Sequence, residues 1–417
     1  MNVPFARYVF DLLLATAAFA LMSATAWLLG SVLRRWGAVF ENIISPSSAK
    51  VATLEGIRGV LASAVAFHHA YCWFFFTSTG TWTTGHSVVF RRLATFGVLQ
   101  FFYLSGYLFW RKLLNGTSAS ASRFYLSRLL RIGPVYYVCI GFAILMGLFL
   151  TRPAPDIHAA NLMLPLLTWL TFTMAGRPSV SSADIARITC GVTWTLAMEW
   201  AFYILLPALA WFSKARVRLV LLALAIASVV AVVKYATYRV GAANITPTAL
   251  LWFAFPKFLL IGFGGGILLA TYEPVLRNWT WRLGKWANWI LLIVYVVYLI
   301  WPGPEVFVQP LLLAGFTLVV AGTDLFGFIA SFPVRLLGRI SFPLYLIHGA
   351  VYYTAFRIIM RGSSVVALTY IPLAGLCLIS IVVLSALVHA GVERYAAKLS
   401  EQVIHSVRLP AVPQEAA

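Results

Sequence analysis

The feature that most constrains this chain is the recurrence, from its first residues almost to its last, of apolar stretches close to the length needed to cross a bilayer. About 20 predominantly apolar residues span the hydrocarbon core as a helix, and in lipid only a helix or a closed barrel satisfies its own backbone. Spans are expected near 8–31, 56–76, 95–111, 133–151, 193–212, 217–237, 248–271, 286–302, 306–323, 340–360 and 365–391. Composition agrees: 61% of the 417 residues are hydrophobic and 10% charged, where a soluble protein carries about a quarter charged. The expected fold class is therefore all-α, a polytopic transmembrane helix bundle of about eleven spanning helices. Segment 160–176 is apolar but broken by Pro165 and followed by Arg177 and Pro178. Counting it as a span would put later basic clusters on the wrong face, so it is expected to be interfacial or re-entrant.

A net charge of +19 would suggest nucleic acid in a soluble protein. Here the cations sit in short clusters between apolar segments: Arg34-Arg35, Arg111-Lys112, Arg123 with Arg128 and Arg131, Lys214 with Arg216 and Arg218, Arg277 with Arg282 and Lys285, and Arg335 with Arg339. That alternation follows the positive-inside rule. It predicts membrane lipids and anionic ligands as partners, no nucleic acid, an outer amino terminus and a cytoplasmic carboxyl terminus. Arg91-Arg92 is an exception. The first apolar run exceeds a signal peptide's usual core and is followed by arginines, so a retained helix is expected. No loop is long enough for a separate catalytic domain, which places the chemistry within the bundle. The absence of an internal repeat counts against a transporter built from inverted halves. Cys72, Cys139, Cys190 and Cys377 show no ligand-like spacing and read as small buried hydrophobes; no metal is expected.

Five segments carry residues that lipid would not tolerate idly. In Glu55-Gly56-Ile57-Arg58-Gly59 through His68-His69, Arg58 and His69 are eleven residues apart. At 100° per residue this is within about 20° of three full turns, so both lie on one helix face and rise about 16 Å along it. His68 points about 80° away, and Glu55 shares the stripe to within about 40°. Such a seam suits proton handling and anion holding; spacing leaves equally open an interfacial Glu55 and Arg58 with His69 merely hydrogen-bonded. Arg128 and Arg131 share a face and suit phosphates, or are simply positive-inside residues. Glu199, inside a span, needs a partner: Tyr203 one turn on, or better His69 or an arginine of another helix. Ser341, Tyr345 and His348 form a stripe at steps of four and three. Lys257 faces a wet cavity or snorkels.

Together these segments resemble the membrane-bound acyltransferase family 3. The resemblance rests on Arg58-Gly59 with His69 ten intervening residues on, Phe101 to Gly106, Arg128 to Tyr136, Trp194 to Tyr203, Phe255 to Phe258 with Gly262, and Ser341 to His348. Glu55 stands where Asp is common, and Thr195 where Ser is. The resemblance implies a ten-helix domain over 51–392, preceded by an extra helix and linker over 1–50 and followed by a flexible cytoplasmic tail over 393–417. It implies acyl transfer, often of acetyl, from cytoplasmic acyl-CoA to a hydroxyl of an envelope polysaccharide or lipid-linked sugar at the inner membrane. A separate envelope partner protein could finish the transfer. Catalytic roles would fall to His69, Arg58 and Glu199, with Glu199 holding the imidazole of His69. Donor binding would fall to Arg128, Arg131 and Tyr136, and substrate binding to Glu55, Trp194, Tyr203, Lys257, Ser341, Tyr345 and His348. His69 would act as general base or as acyl carrier. The rival class is a transporter or flippase of lipid-linked sugars, distinguished by turnover; an inactive scaffold is a third.

Overall fold

The structure, a computed structural model, describes residues 5–35, 49–115, 121–151, 159–181, 183–212, 255–359 and 367–406. Its helices are α1 (Phe5–Leu33), α2 (Ala49–Thr79), α3 (Val88–Leu114), α4 (Ala121–Thr151), α5 (Ala159–Leu170), α6 (Ile185–Ile188), α7 (Trp194–Phe212), α8 (Gly264–Leu283), α9 (Trp286–Ile300), α10 (Gln309–Val320), α11 (Phe332–Arg339), α12 (Ser341–Tyr353), α13 (Ala367–Val388) and α14 (Arg394–Ser406). Three wide π-helical turns, Phe258–Phe263, Thr354–Ile359 and His389–Glu393, run directly into or out of these helices. Among the described residues there is no strand beyond one isolated bridge, Val180 to Ala183. The chain is an all-α, multi-pass membrane protein.

Among the described residues, six helices are long and apolar enough to cross a membrane: Ala6–Leu33, Val51–Thr79, Val88–Leu114, Ser122–Leu150, Phe255–Leu283 and Thr369–Ser400. Trp194–Leu209, Trp286–Ile300 and Glu305–Val320 are shorter apolar helices. The fifteen residues of α9 rise only about 22 Å, less than the core of about 30 Å. Reading apolar runs had stretched this helix and its neighbour α10 into full spans. The expected span at 217–237, the start of that at 248–271 and the Lys214 cluster lie outside the described residues.

Burial ranks the helices. Most of α2 and α3 is enclosed, 61% and 67% of their central windows, against 11% for α1. The innermost pair, α2 and α3, is joined by the short turn 80–87, whose Ser87 caps α3 by accepting the Phe90 amide at 3.2 Å. The peripheral helix α1 is tied to the same cap, since Ser87 Oγ donates to Asp11 at 2.7 Å.

Against α2 lies α11 in backbone contact. A Cβ on Gly59 would meet the Val334 carbonyl at 2.6 Å, and one on Gly338 would meet the Glu55 carbonyl at 1.7 Å. Only glycine allows that crossing, and the Glu55–Arg339 ion pair at 3.3 Å closes it. Glu55 is thereby used to fasten the two helices. Running in the same direction, α12 packs beside α2, with Tyr352 Oη donating to the Ala66 carbonyl at 3.1 Å.

Segment 160–176 is not one continuous helix. The twelve residues of α5 rise about 18 Å, and Phe172 and Thr173 then take left-handed backbone, φ 57° and 58°, which turns the chain back. Tyr136 Oη donates to the Trp169 carbonyl at 2.6 Å, and Trp169 Nε1 to the Pro178 carbonyl at 2.9 Å. Tyr136 therefore moors this returning segment. Beyond Glu393 the chain continues as α14, packed on α4, where a flexible tail is expected; its last residues lie outside the described set.

Candidate active site

Two cavities lie inside the bundle, at successive levels of α2. The first is lined by Arg58 of α2, Arg128 and Arg131 of α4, Glu199 and Tyr203 of α7, Ser341 of α12, and Glu393. Three cations and two carboxylates share a largely apolar chamber. Glu199 is held by its own helix and by α3: Tyr203 Oη donates to Oε1, as does Ser105 Oγ at 3.3 Å. The Arg128 guanidinium lies 5.3 Å over the Phe109 ring, a cation–π contact that orients it. Ser341 Oγ is buried, with no hydrogen-bond partner among the described residues.

His69 and His68 line the second cavity with Cys190, Trp194, Lys257 and Gln309. His69 Nδ1 lies 3.0 Å from His348 Nε2, and His348 Nδ1 lies 3.1 Å from the Leu344 carbonyl. His68 turns away to the Phe90 carbonyl at 2.9 Å, as its 100° offset requires.

Val98 and Tyr345 line both cavities. Tyr345 is fixed by its hydroxyl, 2.9 Å from Thr195 Oγ1 and 3.4 Å from the Val192 carbonyl. The two chambers are thus neighbours across one aromatic wall, with arginines on one side and a buried imidazole on the other.

The acyltransferase domain family matches residues 51–390 of this chain. The chain belongs to this acyltransferase family. A stretch of 169 residues is 32% identical to Nodulation protein 10 of Rhizobium leguminosarum bv. viciae, covering 37% of this chain. The match spans 42% of that relative's length. No solved structure matches the chain.

Within the acyltransferase domain, the structure distributes the sequence-expected residues in two groups. Arg58, Arg128, Arg131, Glu199, Tyr203 and Ser341 meet around the first cavity, and His69, Trp194 and Lys257 around the second, with Tyr345 between. Glu199 bonds Tyr203 and Ser105, and the ring next to His69 is that of His348 instead. Tyr136 and Glu55 line neither cavity; they brace α5 and α11. Sequence reasoning passed over Ser105, Glu393, Gln309 and Cys190. Ser105 had a signal, a polar residue at the centre of the Phe101-to-Gly106 motif. Cys190 had none, because it reaches the histidines only through the turn that packs on Gly349, where a Cβ would lie 2.5 Å from the Thr189 carbonyl carbon.

Proposed function

We propose that this acyltransferase takes an acyl group, typically acetyl, from acyl-CoA bound in the arginine cavity and delivers it to a hydroxyl of a glycan or lipid-linked sugar in the histidine cavity. The observation that carries the proposal is the pairing of the two chambers across Tyr345, one carrying Arg58, Arg128 and Arg131 and the other His69. Guanidinium groups suit phosphate oxygens through paired, charge-assisted bonds. The reach required of the donor's arm is the rise from Arg58 to His69, about 16 Å. Trp194, beside Lys257 and Gln309, offers a ring face with polar neighbours, a surface suited to a sugar.

In the proposed reaction His69 takes the proton of the acceptor hydroxyl as its oxygen attacks the thioester carbonyl carbon. The C–O bond forms, the C–S bond breaks, and the CoA thiolate recovers the proton from the imidazolium. Arg58, about 16 Å from His69 along α2, holds and orients the donor from its phosphate end. By the charge of the loops, the arginine cavity faces the cytoplasm and the membrane is the cell's inner one.

The test is turnover. Purified protein given radiolabelled acetyl-CoA and candidate glycans is expected to release CoA and label the glycan, and His69→Ala is expected to lose the transfer while still binding acetyl-CoA. Full activity in that variant, or movement of a lipid-linked sugar without CoA release, would overturn the proposal. An acyl group trapped on His69 would replace the base by a covalent route.

A further inference from the structure

We infer that His348 is a positioning residue that sets the tautomer of His69, leaving the electron pair on Nε2, the nitrogen that takes the acceptor's proton. The inference rests on the acyl-transfer reading above and adds to it a residue that never touches substrate.

The reasoning starts from a peptide carbonyl. His348 Nδ1 lies 3.1 Å from the Leu344 carbonyl oxygen, and a carbonyl only accepts, so Nδ1 carries the hydrogen. A neutral imidazole has one N–H, which makes His348 Nε2 an acceptor. That atom is 3.0 Å from His69 Nδ1, so His69 Nδ1 donates, with the Val65 carbonyl one turn back as a second acceptor for the ring, and His69 Nε2 keeps its lone pair. His348 is 0% and His69 8% exposed, so bulk water offers little competition for these nitrogens. The rings are tilted by 22° with centroids 5.0 Å apart, a separation that admits an N–H···N bond of 3.0 Å between them.

The scaffold holds this chain in place. Tyr352 ties α12 to the Ala66 carbonyl of α2 one turn from the histidine pair, and Gly349 lets the Thr189–Cys190 turn close against the same helix. The chain ends on a peptide oxygen, not a carboxylate. It orients and polarises His69 without adding a negative charge, and the imidazolium formed after proton abstraction keeps its Nδ1–H bond to the neutral His348.

A metal is the competing occupant of this corner. His69, His348 and Cys190 present ligand atoms within 4.8 Å of one another. Two imidazole nitrogens about 2.0–2.1 Å from a tetrahedral zinc stand about 3.3–3.4 Å apart; the observed 3.0 Å suits a direct hydrogen bond. Cys190 Sγ already accepts from Trp73 Nε1 at 3.4 Å.

The experiment compares His348→Ala with His348→Gln in the full chain, measuring acetyl-CoA binding separately from turnover. The glutamine oxygen can stand where Nε2 stands and accept the same hydrogen. Expected is a fall in kcat of about 10²-fold or more in the alanine variant, with KM for acetyl-CoA unchanged, and recovery of at least about 10-fold of that loss in the glutamine variant. In ¹⁵N-histidine spectra of the unsubstituted protein, His69 should show a protonated Nδ1 and a bare Nε2. Wild-type kcat in His348→Ala, equal impairment of both variants, the opposite tautomer, or zinc bound one-to-one and required for activity would each overturn the inference. If His348→Ala does not fold, the unsubstituted protein's spectrum decides. Failure of the acyl-transfer reading shows differently, as no CoA release from the unsubstituted protein.

Discussion

Gly59 directly follows Arg58, whose guanidinium lines the first cavity, and lies one turn on from Glu55, the anchor to α11. A methyl there would stand 2.6 Å from the Val334 carbonyl and 2.7 Å from the Gly338 amide, both rigid backbone atoms, so the helices must part. Gly59→Ala is expected to cost about 1–3 kcal/mol, read as a lower Tm in detergent, and to raise KM for acyl-CoA by displacing Arg58. That His68 and His69 reach different partners was legible in the sequence, because it depends only on rotation within one helix. The partner of Glu199 was half legible: Tyr203 follows one turn on, whereas Ser105 comes from α3, 94 residues away in sequence. The bond between His69 and His348 spans 279 residues and depends on how α2 and α12 cross, which no local periodicity encodes.

Among the elements, α5 and the turn after it show what local signals do and do not carry. Pro165 and the Arg177-Pro178 pair mark the segment as broken, and its helix ends at Leu170. The mooring of its end by Tyr136 could not be read, since a tyrosine in a basic cluster looks equally well placed for a phosphate. Tyr136→Phe leaves the buried Trp169 carbonyl without its donor, at about 1–3 kcal/mol. The expected result is a lower Tm with KM for acyl-CoA unchanged, because Tyr136 lies outside the arginine cavity; a large rise in KM would return it to the donor site. The long helices α1 to α4 were legible from apolar runs because length and hydropathy alone define them. The shortness of α9 and α10 was not, because neighbouring turn residues in the loop between them are apolar as well.

Across the whole molecule, the proposed reaction divides binding and proton transfer between the two cavities, and variants on either side should separate in kinetics. Arg128→Gln with Arg131→Gln is expected to raise KM for acyl-CoA by about tenfold or more, as expected for lost charged hydrogen bonds of about 1.5–3 kcal/mol each, while leaving the tautomer of His69 intact. Binding that stays unchanged in this double variant would return both arginines to topology alone. The class of the fold was legible, and Glu393, Gln309 and Cys190 were not; Arg58, His69 and Glu199 stood out among the linings of the two cavities as polar exceptions in apolar helices. The meeting of the cavities at one tyrosine was not legible, because it depends on how α2, α3, α7 and α12 converge.

That tyrosine also governs leakage. Acetyl thioesters hydrolyse, and in the proposed reaction the same His69 that activates a sugar would activate water if water reached the bond. With its ring wedged between chambers and its hydroxyl tethered to Thr195 and the Val192 carbonyl, Tyr345 works as a bulkhead. Tyr345→Ala should raise acetyl-CoA hydrolysis in the absence of glycan and lower the acyl groups delivered per CoA released. On the proposed reaction, a cell carrying that variant would spend activated acyl groups without transferring them, and the yield would be set by a side chain that takes no part in the bond changes.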